Sequence, residues 1–337
     1  MGRFIFKRAA SLVLTLFAAS FLVFAVTEFS PSNVARKTLG PFALQSQVDI
    51  LYQKLGLHDP LAVRYSRWLG VLLGLKADPL QDPALGLQFK DPRGDKYFGN
   101  FGYSTLYKAP VNDVIWGRLK ATAALAGIAF ALIVPLSLVL GVLAGMREGS
   151  GLDRTISIFG IVATSVPEFA SGVFLVALFV VGLGWLPGTS PLDAGSGWPI
   201  WTQMVLPVAV LVLYDSGYVV RMVRGSMAEV MNKPYIRTAI LKGLPMREVV
   251  VRHAVRNAMI APFTVILLQI NFLISGVVVT EMVFAYPGFG RMILDASLFG
   301  DIALIEAATL IALTIAILTQ LVSDVGYAFL NPQIRLA

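Results

Sequence analysis

Five acidic residues lie within or at the ends of long apolar runs, where a carboxylate is costly unless it is paired or hydrated. They are Glu168, Asp215, Glu281, Glu306 and Asp324. The last three fall near the predicted ends of their runs, where water is close. Glu168 follows Pro167, whose ring removes a helix hydrogen bond, and Asp215 lies in a small polar patch. We therefore predict that Glu168 and Asp215 line a path through a membrane, with helix–helix pairing as the alternative.

The usual catalytic motifs are missing from the sequence. It has no G-x-x-x-x-G-K-[ST] phosphate loop, no H-E-x-x-H and no G-x-S-x-G. The absence of cysteine excludes disulfides, zinc–thiolate sites and iron–sulfur sites, and the two histidines, His58 and His253, are far apart. We predict no catalytic residues and no metal site, and we expect that the chain is not an enzyme.

The composition indicates a polytopic membrane protein. The 337 residues are 56% hydrophobic and only 14% charged, whereas a soluble domain has about 25% charged residues. The formal net charge is +7, but the basic residues cluster beside apolar segments, as membrane topology signals do. We therefore predict no nucleic-acid partner.

Six apolar runs predict six transmembrane helices in an all-α fold. The first, at residues 9–27, follows three basic residues and is too long for the apolar core of a signal peptide. Each of the other five is long enough to cross a hydrocarbon core of about 30 Å. They lie at about 121–146, 157–184, 201–220, 257–280 and 304–330. On the second predicted helix, Gly141 and Gly145 form a small-xxx-small pair that favours close helix packing.

The predicted organisation has four parts and a defined orientation. An N-terminal transmembrane helix (1–28) precedes a polar, proline-rich segment (29–118), a five-helix core (119–330) and a short tail (331–337). Lys and Arg near the helix ends place both termini and the loop 225–258 in the cytoplasm, and the segment after the first helix outside.

A charged, broken helix lies within that cytoplasmic loop. Residues 235–257 read YIRTAILKGLPMREVVVRHAVRN. Asn232 and Pro234 predict a helix start, Gly243 suits the left-handed residue that ends a helix, and Pro245 begins the next one. The pattern predicts a short helix, a sharp turn and a second helix. Such an element either lies on lipid or inserts into a groove of a soluble partner, and the rigid break favours the partner.

The same residues resemble the "EAA" coupling loop of ATP-binding-cassette importer permeases, in the dipeptide/oligopeptide branch. The resemblance rests on the pattern Tyr235-Ile-Arg-Thr-Ala239-(x)3-Gly243-Leu-Pro245, followed by His253 and Asn257. Five more segments occur in the family's order, so the resemblance covers nearly the whole chain. They begin at Leu55, Gly99, Ser165, Glu281 and Asp324. Thr238 departs from the superfamily's alanine, and residues 76–98 resemble a polar insertion.

The resemblance implies a type I ABC importer permease fold with six transmembrane helices, a cytoplasmic coupling helix and a sizeable periplasmic segment after helix 1. The chain would be the first of two permease subunits in the bacterial inner membrane. Its implied partners are a homologous second permease subunit, two cytoplasmic ATPase subunits, a periplasmic substrate-binding protein and membrane lipid. ATP and Mg would be bound by the ATPase subunits, with no cofactor in this chain.

Two groups of residues acquire expected roles from the resemblance. The first couples the permease to the ATPase, with Ile236, Ala239, Ile240 and Leu244 contacting it. The whole group is Tyr235, Ile236, Arg237, Ala239, Ile240, Gly243, Leu244 and Pro245. The second group lies in the predicted outer loop, in a tight non-helical turn, where it either gates the outer mouth or caps the bundle. It comprises Tyr286, Pro287, Gly288, Gly290 and Arg291.

Three functions fit these observations. The resemblance favours import of peptides or oligopeptides. The same mechanism with another cargo, such as an oligosaccharide, an opine or a nickel complex, is the alternative. The third is an ion-coupled secondary transporter that uses Glu168 and Asp215, but we find neither inverted repeats nor a matching pair of broken helices in the sequence.

Overall fold

The structure is a computed structural model that describes residues 2–28, 35–36, 39–40, 42–81, 90–193, 195–275 and 277–330. Of residues 2–10, 54, 271, 274–275 and 324–330 it describes the backbone alone. The predicted tail at 331–337, the side chain of Asp324 and part of the polar insertion therefore lie outside the described residues. The chain divides into two compact units, 1–121 with 288–317 and 122–287 with 318–337.

The first unit combines several helices of its own with the first parts of two long ones. Its elements are α1 (Gly2–Thr27), α2 (Gln45–Lys54), α3 (Leu61–Leu72), a short 3-10 turn (Pro79–Gln81), the antiparallel pair β1 (Tyr103–Ser104) and β2 (Ala109–Pro110), the start of α4 (Val111–Gly145), α14 (Phe289–Phe299) and the start of α15 (Ile302–Leu330). Ile115, Met292 and Leu304 are fully buried in its core, which joins α4, α14 and α15. Within the polar segment predicted after the first helix, Val48, Leu51 and Leu57 are buried in a second apolar cluster.

Buried polar side chains hold the irregular parts of this unit. Asp301 accepts hydrogen bonds from Ser104 Oγ (2.5 Å) and from the backbone N–H of Leu106 (3.0 Å). Asp91 accepts from Arg93 Nε (2.9 Å) and from the Tyr97 hydroxyl (2.7 Å). Burial acts to raise the pKa of Asp91, but these hydrogen bonds outweigh it and hold the pKa below its usual value. The Asp91 carboxylate thus stabilises its loop only while it is ionised.

The second unit is helical throughout its regular parts. Its elements are the rest of α4, α5 (Gly151–Ser165), α6 (Glu168–Val176) with a π-helical turn (Ala177–Gly182), α7 (Ile200–Gln203), α8 (Val205–Met231), α9 (Pro234–Leu241), α10 (Met246–Glu248) with a π-helical segment (Val249–Val255), α11 (Arg256–Ala258), α12 (Ile260–Ser275), α13 (Val278–Val283) and the end of α15. Helix α8 is the central element, since α5, α6, α12 and α13 all contact it.

Glycine lets α4 and α8 approach closely, as the small-xxx-small pair predicts. A Cβ atom added at Gly141 would lie 2.5 Å from the Cβ of Val223, and one at Gly145 would lie 2.6 Å from the Cβ of Met227. Both distances are shorter than carbon atoms tolerate, so only glycine fits at this crossing. The packing role predicted for this pair is confirmed.

Several helices have the length and composition of membrane spans. Among the described residues, three qualify as single helices: Val111–Gly145, Ile200–Met231 and Ile302–Ser323. Two bent pairs, Gly151–Ser165 with Glu168–Gly182 (98°) and Met246–Ala258 with Ile260–Ile270 (59°), raise the number to five if each pair is one span. The polytopic helical fold is thus as predicted, and the count of six spans stays a prediction.

The sharper bend has a local cause. Val166 is extended, with ψ of 124°, and Pro167 is the N-cap residue of the next helix. A residue before proline is pushed out of the helical region by the proline ring, so α5 ends there and α6 begins in a new direction. Glu168 is consequently the first residue of a helix and not part of an unbroken span.

Candidate functional site

The short helix and turn predicted around Gly243 are present. Helix α9 has Pro234 at its first position, and Gly243 follows it in the left-handed conformation, with φ of 78°. Pro245 then precedes the next helix as its N-cap residue. The capping role expected for Asn232 is wrong, because Asn232 ends the preceding helix and its Nδ2 donates to the carbonyl of Ala228 (3.0 Å). The residue before Pro234, Lys233, takes the N-cap position without a side-chain hydrogen bond.

The inward face of α9 is buried against the chain itself. Ile236 is fully buried and Ala239 is 7% exposed, in one cluster with Met227, Val250 and Ala254. The expectation that Ile236 and Ala239 contact a partner therefore does not fit this structure, because both are covered by α8 and the π-helical segment. Their burial instead anchors α9.

The outward face of α9 is a compact exposed patch, which we call the coupling face. It consists of Tyr235, Arg237, Ile240, Leu241 and Lys242, all of which are exposed. Leu241 is 79% exposed, the most of its apolar members, and the sequence pattern did not single it out. The Tyr235 hydroxyl accepts from Asn257 Nδ2 (3.1 Å), so the patch is tied to the helix that follows the turn. Leu244, in contrast, is only partly exposed and packs against the buried cluster.

An ion pair fixes the first turn of α5 to the C-terminal half of α8. Arg224 Nε donates to Asp153 Oδ1 (2.9 Å) and its Nη2 donates to Asp153 Oδ2 (2.7 Å). The backbone N–H of Gly149 also donates to Asp153 (2.8 Å). Sequence reasoning missed this contact, although the spacing from Ser150 to Asp153 is that of a helix cap, and Ser150 does accept from the Asp153 N–H.

Glu168 and Asp215, the two predicted path residues, lie close together in the second unit. Glu168 is half-buried and accepts a hydrogen bond from the Thr280 hydroxyl. Asp215 is 3% exposed, accepts from the Gln269 side chain, and lies near enough to Glu168 for their charges to interact. The structure thus brings four polar side chains of α6, α8, α12 and α13 together in an otherwise apolar set of helices.

Glu281 and Glu306 differ from the expectation that water is close to them. Glu281 is fully buried and accepts from the Thr122 hydroxyl. Glu306 is 3% exposed and accepts from the Thr27 hydroxyl (2.6 Å). Position near a predicted run end was a poor guide, because neighbouring helices and not water cover both carboxylates.

The predicted gate residues are only partly in a non-helical turn. Tyr286 is fully buried, and its backbone N–H donates to the carbonyl of Glu281 (2.8 Å). Gly288 is extended and precedes α14, so Gly290 and Arg291 fall in the first turn of that helix. The tight non-helical turn expected for the whole patch is therefore wrong for its last two residues. Among the described residues, no group of three or more metal-ligating side chains is found.

The fold defines the class as a polytopic helical membrane protein. The family model described as "Binding-protein-dependent transport system inner membrane component" matches residues 137–336, and that of the N-terminal part of such components matches residues 1–126. The chain belongs to this family. It is an ABC transporter permease subunit of the inner membrane and not an enzyme.

Curated relatives are similar along their whole length. A probable peptide ABC transporter permease of Sinorhizobium fredii is 30% identical over 99% of this chain and 100% of its own. A putative peptide transport system permease of Brucella abortus is 31% identical over 99% of both chains. A glutathione transport system permease of Shigella flexneri is 32% identical, again over 99% of both.

Proposed function

We propose that this chain is the membrane subunit of an ATP-driven importer of peptides. The similar proteins of Sinorhizobium and Brucella are named for peptides, and that of Shigella is named for glutathione, itself a small peptide. These names favour a peptide cargo over an oligosaccharide, an opine or a nickel complex. A homologous second permease subunit, two ATPase subunits that bind ATP and Mg, and a periplasmic binding protein complete the proposed assembly.

The coupling face is the proposed contact with an ATPase subunit. The observation that carries this proposal is that α9 has one face buried in its own chain and one face exposed. An exposed leucine between basic residues is suited to an apolar groove with an acidic rim. Because Ile236 and Ala239 fasten α9 to α8, a push on the coupling face is transmitted to a membrane-length helix.

The proposed orientation places the coupling face, both termini and the tail 331–337 in the cytoplasm. Within 221–256, eight Lys and Arg residues support this, whereas the loop at 185–200 has none. The segment 29–118 would then be periplasmic, at the N-terminal end of the five-helix core. Tyr286, Pro287, Gly288, Gly290 and Arg291 would lie near the outer mouth, as a gate or as a cap of the bundle.

The docking proposal is tested by a charge placed on the coupling face. Leu241→Asp puts a carboxylate where an apolar contact is proposed, and its exposure predicts a normal amount of folded protein in the membrane. We expect the ATPase subunits to co-purify at least tenfold less with this variant. Leu75→Asp is the matched control, because Leu75 is 74% exposed in the segment proposed to be periplasmic. Normal co-purification with Leu241→Asp, or an equal loss with Leu75→Asp, would contradict the proposal.

A further inference from the structure

Asp215 has an unsatisfied oxygen deep in the second unit. The residue is 3% exposed, and its Oδ2 has no hydrogen-bond partner among the described residues. Gln269 supplies a hydrogen bond to the carboxyl group, but a buried polar oxygen without any partner is costly. A group that is absent from the chain itself is therefore expected to complete this site.

The side chains around Asp215 indicate which charge the ligand that completes this site carries. The charged neighbour that acts on Asp215 is Glu168, a second carboxylate. Glu168 is bound by the hydroxyl and the backbone N–H of Thr280, and in the described structure no cationic side chain acts on either acid. Two carboxylates whose charges interact repel each other when no cation is present, so a positively charged ligand is favoured.

Glu168 also gives this site an opening. It is half-buried, and the residue before it, Pro167, is exposed. A carboxylate in a helix pair of membrane-spanning length and composition is costly against lipid, so its exposed side is expected to face a water-filled path or the second permease subunit. A ligand that moves along such a path can reach Glu168 first and Asp215 behind it.

We propose that Glu168 and Asp215 bind the N-terminal ammonium group of the peptide cargo during its passage through the permease. This inference rests on the proposed function. An ammonium group has three donors and no acceptor, which suits the free Asp215 oxygen and the Glu168 carboxylate together. Gln269 and Thr280 are positioning residues, because each orients one of the two acids.

The test compares peptides that differ only in their N-terminal charge. Vesicles that contain the full transporter, with saturating binding protein, are supplied with a free tripeptide or its N-acetylated form. Asp215→Asn and Glu168→Gln keep the shape of each side chain and remove its charge. We expect each variant to lower ATP-dependent uptake of the free peptide about tenfold or more. For the acetylated peptide, uptake by each variant should differ less than twofold from uptake by the unmodified protein.

Glu281→Gln is the matched control, because Glu281 is a buried carboxylate of the same unit that is bound by Thr122. It should keep the unmodified ratio of free to acetylated uptake. The amount of each variant in the membrane and its co-purification with the ATPase subunits report whether it folds. If Asp215→Asn is present in a reduced amount, Glu168→Gln still tests the inference, since Glu168 is only half-buried.

Three results with these variants would overturn the inference. They are unmodified uptake of the free peptide by both variants, an equal loss for free and acetylated peptides, and a similar loss of selectivity in Glu281→Gln. If the variants lose uptake of both peptides equally, and the loss varies with pH, Glu168 and Asp215 bind a proton and not the cargo. If the unmodified transporter imports neither peptide but does import another solute, the proposed peptide function itself is wrong, and the inference falls with it.

Discussion

The turn at Gly243 offers a sharp test of how the coupling face is held. A Cβ atom at this position would meet no atom within 4 Å, so a side chain fits without a clash. The φ of 78° is the obstacle, because a residue with a Cβ loses about 1–2 kcal/mol in the left-handed region. Gly243→Val adds the further penalty of a β-branched side chain there.

The packing of α9 decides where this strain is released. Burial of a side chain like Ile236 stabilises by about 1.5–3 kcal/mol, and Ala239 adds to it. Since this total matches or exceeds the strain, α9 should stay on its buried cluster while the turn after it changes shape. The exposed residues next to the turn, Leu241 and Lys242, should therefore move. The protein is expected to fold and reach the membrane, with its coupling face displaced.

The assay is ATP-driven uptake in vesicles, normalised to the amount of folded permease. The displaced turn must return to its original shape when the coupling face docks. A strain of about 1.4 kcal/mol at that step weakens docking tenfold, so we expect Gly243→Val to retain about a tenth of the uptake or less. Gly243→Asn is the control, because asparagine tolerates the left-handed conformation far better, and it should retain most of the uptake. Equal and unmodified uptake in both variants would refute the reasoning.

The remaining predictions concern stability, measured by thermal unfolding in detergent. Gly145→Ala should lower the unfolding temperature, because overpacking at this position costs about 1–3 kcal/mol. Gly127→Ala on the same helix is the control: its added Cβ meets no atom within 4 Å, so it should be neutral or stabilising. Asp153→Ala leaves Arg224 without its main partner and should cost about 2 kcal/mol, and an unchanged transition would show that the pair is not structural. The pKa of Asp91 is lowered on folding, so its contribution is complete above the ordinary carboxyl pKa and is lost as the pH falls through the lowered value. Asp91→Asn should reduce stability at neutral pH and flatten the acid side of the profile, and parallel profiles would contradict this.

The turn chemistry around the coupling face could be predicted from sequence. Pro234, Gly243 and Pro245 each have a strong backbone preference, and each takes the expected position. The direction of the helix between them could not be predicted, because the i, i+3, i+4 spacing identifies an apolar face without saying what covers it. In the structure the chain itself covers Ile236, and Leu241 on the other side is left exposed.

The buried acids show a similar limit. Sequence reasoning could single out Glu168 and Asp215 because each is a charge in an apolar run. It could not see that Thr280 and Gln269, far along the chain, bind them. It also placed Glu281 near water, whereas helix contacts enclose it completely. Burial of this kind depends on how helices pack, which run length and periodicity do not encode.

Reconstituted uptake tests the central claim most directly. The permease pair, the ATPase subunits and the binding protein would be placed in vesicles, and accumulation of a labelled peptide would be followed with and without ATP. The account predicts that peptide accumulates only when ATP, the ATPase subunits and the binding protein are all present. Accumulation by the chain alone, or an assembly that imports another solute but no peptide, would contradict it.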